Sequence, residues 1–128
     1  MTIVTLPQHS PAADTLDRID VLLIAPAHRL SDLDRHLPAT WMVTRRAEMP
    51  AGCREPDIVL LDDPGPRSVT AACLRHPAAS IVAVLSPYSD HQAVVDVLEA
   101  GADACVRSSS APVIAAHLEA CRRRQAGA

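Results

Sequence analysis

Lysine is absent from this chain: the 12 basic side chains among its 128 residues are all arginine. Schiff-base chemistry, a P-loop and any phosphate-sensing ammonium are therefore excluded. Phenylalanine is absent too, and Trp41 and Tyr88 are the only aromatic residues. That leaves no stacking platform for single-stranded nucleic acid, and the core must be built from Val, Leu, Ile and Ala. Only four glycines occur, Gly52, Gly65, Gly101 and Gly127. They form neither a Gly-x-Gly-x-x-Gly fingerprint nor a Gly-x-Ser-x-Gly elbow, so no glycine-rich phosphate loop is available.

Metal-ligand spacing is missing as well. Cys53, Cys73, Cys105 and Cys121 make no Cys-x-x-Cys pair, and the six histidines are scattered. The cysteines sit among apolar or small residues, which reads as buried thiols in a reducing compartment. Only Cys105 has a basic residue near a strand end, Arg107, and Cys105 is expected to point into the core or the sheet. No apolar run approaches the ~20 residues of a membrane span. Residues 1–6 lack a basic start and Pro7 and Pro11 follow, so no signal peptide is read and a cytoplasmic location is expected. With a net charge of −3, the surface does not favour nucleic acid or membrane. The one basic cluster, Arg122-Arg123-Arg124, reads as the close of a helix, where cations suit the dipole.

What the chain does have is 48% apolar residues in a regular rhythm. Residues 1–17, with two prolines and little periodicity, read as an arm; Ile3-Val4-Thr5-Leu6 has a weak edge-strand pattern. Residues 18–125 read as one domain. Strands are expected at residues 19–25, 41–45, 57–62, 80–86 and 103–107, most of them apolar throughout, as in strands buried on both faces. Between them, Ser31 is expected to cap a short helix carrying Leu33 and Leu37, ended by Pro38. A second helix spans residues 67–75. Ser89 or Asp90 caps a third whose Val94, Val97, Leu98 and Gly101 side faces the sheet, and Ser110 caps a last one with Ile114, Leu118 and Cys121 inward. Residues 47–56, with Pro50, Gly52 and Pro56, leave no room for a full helix. The expected fold is α/β: a flavodoxin-like, doubly wound parallel sheet of five strands, with the helix between strands 2 and 3 shortened or missing.

In such a sheet the site lies beyond the carboxyl ends of the strands. Those ends offer Ala25-Pro26-Ala27-His28, Asp62-Asp63-Pro64-Gly65, Ser86-Pro87-Tyr88-Ser89 and Arg107-Ser108-Ser109-Ser110. Here the chain resembles response-regulator receiver domains. Pro56-Asp57-Ile58-Val59-Leu60-Leu61-Asp62 is similar to the family's third strand, which ends in the phosphate-accepting aspartate. Ile81-Val82-Ala83-Val84-Leu85-Ser86 is similar to the strand ending in its switch Ser or Thr. Ala100-Gly101-Ala102-Asp103-Ala104-Cys105-Val106 resembles its Gly-Ala-Asp stretch. The resemblance runs over about residues 19–124 and puts Asp62 at the phosphoacceptor position.

The departures bear on function. The family holds magnesium with two acidic residues at the end of strand 1; here these positions are Ala25 and Pro26, which cannot ligate a hard cation. The family's lysine falls at Ser108, so Arg107 is the cation expected nearby. Asp62 and Ser86 are also closer in sequence than is usual in the family. Phosphoryl transfer rests on positioning and charge neutralisation, so the site reads as inactive. Asp62 and Asp63 as a metal pair are disfavoured, because neighbours on a strand point to opposite faces, and an Asp-Pro-Gly turn accounts for Asp63. Ser108-Ser109-Ser110 at a helix start could cradle an anion, but Ser110 as an N-cap suffices. Tyr88 stands beside the site and is placed to fill it.

These readings lead to a degenerate, phosphorylation-independent receiver: a signalling and protein-interaction module in transcriptional or other regulation, not an enzyme, with no cofactor and no metal. Its vestigial pocket would comprise Ala25, Pro26, Asp63, Ser86, Arg107 and Ser108 around Asp62. The resemblance implies self-association through the family's fourth helix, fifth strand and fifth helix. In this chain that surface is residues 90–99, 103–107 and 111–124, and it presents His91, Val95, Glu99, Arg107, Glu119 and Arg122 to a protein partner or a second copy. Two alternatives stay open: a phosphorylatable receiver of unusual geometry using Asp62, and a small-ligand domain on the same fold.

Overall fold

A computed structural model describes residues 18–52 and 54–127. The expected arm, its edge-strand pattern and Cys53 lie outside them. Five strands form one parallel sheet: β1 (Ile19–Ile24), β2 (Trp41–Arg46), β3 (Ile58–Asp62), β4 (Ser80–Leu85) and β5 (Ala104–Arg107). Their order is β2-β1-β3-β4-β5, the flavodoxin-like arrangement with its switch point between β1 and β3. Among the described residues there are three α-helices, α1 (Pro66–Arg75), α2 (His91–Glu99) and α3 (Ala111–Gly127).

The two sheet faces are filled by alternate residues of the same strands. Val21, Leu23, Leu60 and Val82 point to one side, where Ile114, Leu118 and Cys121 of α3 cover them together with Leu30, Leu33 and Leu37. Val59, Leu61, Ile81 and Ala83 point to the other, against Val69 and Ala72 of α1 and Val97 of α2. Central strands covered on both faces must be apolar throughout, and every residue of β4 is buried.

Aspartates at the lower strand ends hold the register. The Asp57 carboxylate accepts the Asp20 amide at 2.8 Å, and that of Asp103 accepts the Ile81 amide at 2.8 Å. The aspartate of the Gly-Ala-Asp stretch thus caps a strand. Before it, Gly101 has φ +122°, and a Cβ there would stand 2.7 Å from Cys73 Sγ. Only glycine takes that backbone readily.

The first crossover departs from expectation. Where a Ser31-capped helix is expected, the chain makes only a four-residue 3₁₀ turn (Leu33–His36), preceded by Asp32 with no side-chain cap. Leu30 at φ +54° breaks any helix on one side and Pro38 on the other, leaving too few residues for an α-helical nucleus. Where residues 47–56 are expected to leave no room for a full helix, residues 47–52 and 54–57 carry neither helix nor strand. They are tied to the end of α1: Arg75 donates to the Pro50 carbonyl at 2.8 Å, and His76 meets Glu55 at 3.3 Å. Edge strand β2 is consequently the least covered, alternating half-buried and exposed residues, with Met42 49% exposed.

Asp90 caps α2, its carboxylate accepting the Ala93 amide at 2.9 Å. At the start of α3 the Ser110 hydroxyl accepts from the Val113 amide at 3.4 Å.

Candidate functional site

The carboxyl ends of β1, β3 and β4 surround an open cleft of about 500 Å³, lined by Pro26, His28, Arg29, Asp62, Asp63 and Ser86. Asp62 closes β3 and its side chain is only 5% exposed. Both of its oxygens are taken by one arginine. Arg29 Nε donates to Oδ2 and Nη2 to Oδ1, each at 3.0 Å, the two-pronged geometry in which a guanidinium matches a carboxylate. These bonds, and then the charge of Asp62, raise the pKa of Arg29; burial opposes this and Asp63 adds to it. The cation on Asp62 is therefore Arg29 of the first loop.

The expected cation was Arg107, and the structure corrects this. Arg107 does not line the cleft; its guanidinium donates to the Ser89 carbonyl at 3.1 Å and braces the loop before α2. Ser108 is outside the cleft too, its hydroxyl accepting the Ser110 amide at 3.0 Å. Tyr88 fills nothing: it is 93% exposed. Ser86 is in place, but its hydroxyl accepts the Tyr88 amide at 3.1 Å in a local turn.

Ala25 is 2% exposed and belongs to the core, while it also edges a smaller hollow of about 210 Å³ beside the cleft. Asp63 lines both spaces. It sits at φ +50° with its amide donating to the Val84 carbonyl at 2.7 Å, a conformation aspartate tolerates in turns. A divalent cation does not fit these residues. Ala25 and Pro26 supply no side-chain oxygen, and both oxygens of Asp62 are engaged. Among the described residues no group of three or more His, Cys, Asp or Glu could hold a metal ion.

Arg45 of β2 completes the arrangement. Its Nη1 donates to the Pro26 carbonyl at 2.9 Å and its Nη2 to the Leu30 carbonyl at 2.8 Å. The sequence reading missed Arg29 and Arg45. One signal for Arg29 was present: a buried carboxylate needs a counter-charge, and Arg29 is the only basic residue between β1 and Pro38 apart from Arg35 and histidines.

The surface expected to meet a partner is solvent-facing. His91, Val95, Glu99 and Arg107 are exposed, while Glu119 and Arg122 are half-buried. Among the described residues, no helix is long and apolar enough to cross a membrane.

A doubly wound sheet of this order, with an aspartate ending its third strand, is the fold of response-regulator receiver domains. Solved structures bear this out. An orphan response regulator of H. pylori superposes with a TM-score of 0.67 at 20% identity, over 80% of this chain and 94% of that one. A CheY-like receiver domain protein of Methanospirillum hungatei gives 0.66 at 19% identity, over 84% of this chain and 94% of the other. A putative pilus assembly protein of Burkholderia thailandensis gives 0.67 at 19% identity, over 82% and 98%. No family profile matches the sequence, nor does any curated protein. At these identities the likeness is one of fold.

Proposed function

We propose that this chain is an atypical receiver that acts through protein contacts and does not depend on phosphorylation. The observation that carries this reading is the Arg29 fork on Asp62. A receiver aspartate attacks phosphorus with a free carboxylate oxygen while a metal ion and a lysine neutralise the developing charge. Here both oxygens are bound, no side chain at Ala25 or Pro26 can hold the metal, and the chain has no lysine. The site is electrostatically complete without a phosphoryl group.

Output then falls to surfaces. The face formed by α2, β5 and α3 carries exposed Val95 amid His91, Glu99 and Arg107, with Glu119 and Arg122 half-buried, a charge-mixed surface suited to a polar dimer. A second copy of the chain or another regulatory protein in the cytoplasm is the fitting partner; the reading assigns neither an enzymatic reaction nor direct contact with nucleic acid or membrane. The likeness to a putative pilus assembly protein as well as to response regulators leaves the output open between transcriptional and other regulation. The cleft has the volume of a small-ligand site, but its floor is an already satisfied ion pair, which places ligand binding second.

Intact mass after incubation with magnesium and a small phosphodonor tests the reading. The expected result is no change. A gain of one phosphoryl group that disappears in Asp62→Asn overturns it in favour of the phosphorylatable alternative.

A further inference from the structure

The fork on Asp62 comes from a loop, and a loop holds an arginine in one geometry only if the loop is itself held. Residues 26–30 are fixed at both ends by one side chain. Arg45 spans from the Pro26 carbonyl to the Leu30 carbonyl, so its two donors bracket the backbone that carries Arg29. The same two carbonyls accept from the loop's own turns, Pro26 from the Arg29 amide at 3.0 Å and Leu30 from the Leu33 amide at 3.2 Å. Leu30 is driven to φ +54°, unusual for a branched side chain without a polar atom, yet that side chain is buried in the core. A residue held in such a conformation requires surroundings that enforce it.

We propose that residues 26–30 are a strap, that Arg45 is its anchor, and that the anchored strap keeps Arg29 on Asp62 and shields this carboxylate from solutes. Arg45 is a positioning residue, acting on Asp62 only through the loop. This rests on the site reading above, in which Asp62 is sealed by Arg29, and it adds what holds the seal. An arginine suits the anchor best because two carbonyls on either side of the loop are reached at once; a lysine head offers one compact charge in place of a fork.

Labelling of carboxylates with a water-soluble carbodiimide and an amine, read by peptide mass spectrometry, tests the strap. Exposed Asp63 is the internal standard. In the unaltered protein Asp62 should label at least about tenfold more slowly than Asp63, as a carboxylate held by two charge-assisted hydrogen bonds should. Arg29→Ala should remove most of that difference. Arg45→Gln should do nearly the same although it leaves Arg29 in place, and Arg45→Lys should fall between. Arg46→Gln, at the neighbouring exposed position, should leave Asp62 protected.

Protection that persists in Arg29→Ala overturns the seal; protection lost in Arg29→Ala but intact in Arg45→Gln overturns the anchor. Should Arg45→Gln fail to fold, proton exchange at Arg29 Nε in the unaltered protein decides. It should be slower than at exposed Arg67, and equal rates overturn the strap. None of these results depends on phosphoryl transfer, so the strap and the phosphorylation-independent reading can fail separately.

Discussion

The coupling between Arg29 and Asp62 can be measured as a free energy. Truncating one partner of a buried ion pair costs about 3–5 kcal/mol, while an exposed pair is worth only about 0–1 kcal/mol. This pair lies between those limits, since the Asp62 side chain is 5% exposed and that of Arg29 38%. Arg29→Met, which keeps most of the apolar stem, should cost about 2 kcal/mol, discounted for the solvent that reaches the guanidinium. Asp62→Asn should cost about 1 kcal/mol, because the amide keeps an acceptor and Arg29 can turn to water. With both changes no charge is left stranded. The double variant should then lose only about 1.5 kcal/mol, giving an interaction energy of roughly 1.5 kcal/mol. Urea unfolding followed through half-buried Trp41, the single tryptophan, supplies the four stabilities. If the single-variant costs add to within about 0.5 kcal/mol, the two side chains are uncoupled and the sealed site is wrong.

Gly101→Ala should destabilise by about 2–4 kcal/mol in urea, from the φ of +122° and the approach to Cys73 Sγ, and Cys73→Ala should recover the second part only. A loss below about 0.5 kcal/mol would refute the assigned backbone strain. Burial raises the thiol pKa of both Cys73 and Cys105 above 9.0, with the charge of Asp103 adding at Cys73 and Arg107 opposing at Cys105. Their contribution to stability is therefore complete below that ordinary value and is lost as pH rises through the folded values. Unfolding free energy should fall on the alkaline side of pH 9.0, and alkylation of the native thiols should lag well behind that in urea. Equal alkylation rates would contradict the burial argument.

The parallel sheet was legible because its central strands leave no choice. Val59, Leu60 and Leu61, like Ile81 to Leu85, are apolar at every position, and a short run of this kind between turn residues suits a strand covered on both faces. The lack of a helix among the described residues between β2 and β3 was equally legible from Pro50, Gly52 and Pro56. The first helix misled because Leu30, Leu33 and Leu37 have helical spacing, while the left-handed turn at Leu30 has no signature in a leucine. The cleft was only partly legible. Pro26, Asp62, Asp63 and Ser86 converge because strand ends must, whatever the loops do. Arg29 and Arg45 act through hydrogen bonds from a loop and from a strand that follows it, and no periodicity encodes such a pairing. Arg107 was the reasonable choice on strand position alone, but its long side chain is spent on the Ser89 carbonyl.

The uneven covering of the sheet bears on time as well as on structure. Amides of β3 and β4, each flanked by strands on both sides, should exchange with solvent only when the whole domain opens. Edge strand β2 hydrogen-bonds to β1 alone, and the segments before and after it are a 3₁₀ turn and a loop. It belongs to the low-stability end of the molecule, where local opening precedes global unfolding. Arg45 sits on that strand. Each fraying of β2 withdraws the anchor of the strap, so the lifetime of the contact over Asp62 is bounded by the opening rate of an edge strand some way from the carboxylate it protects.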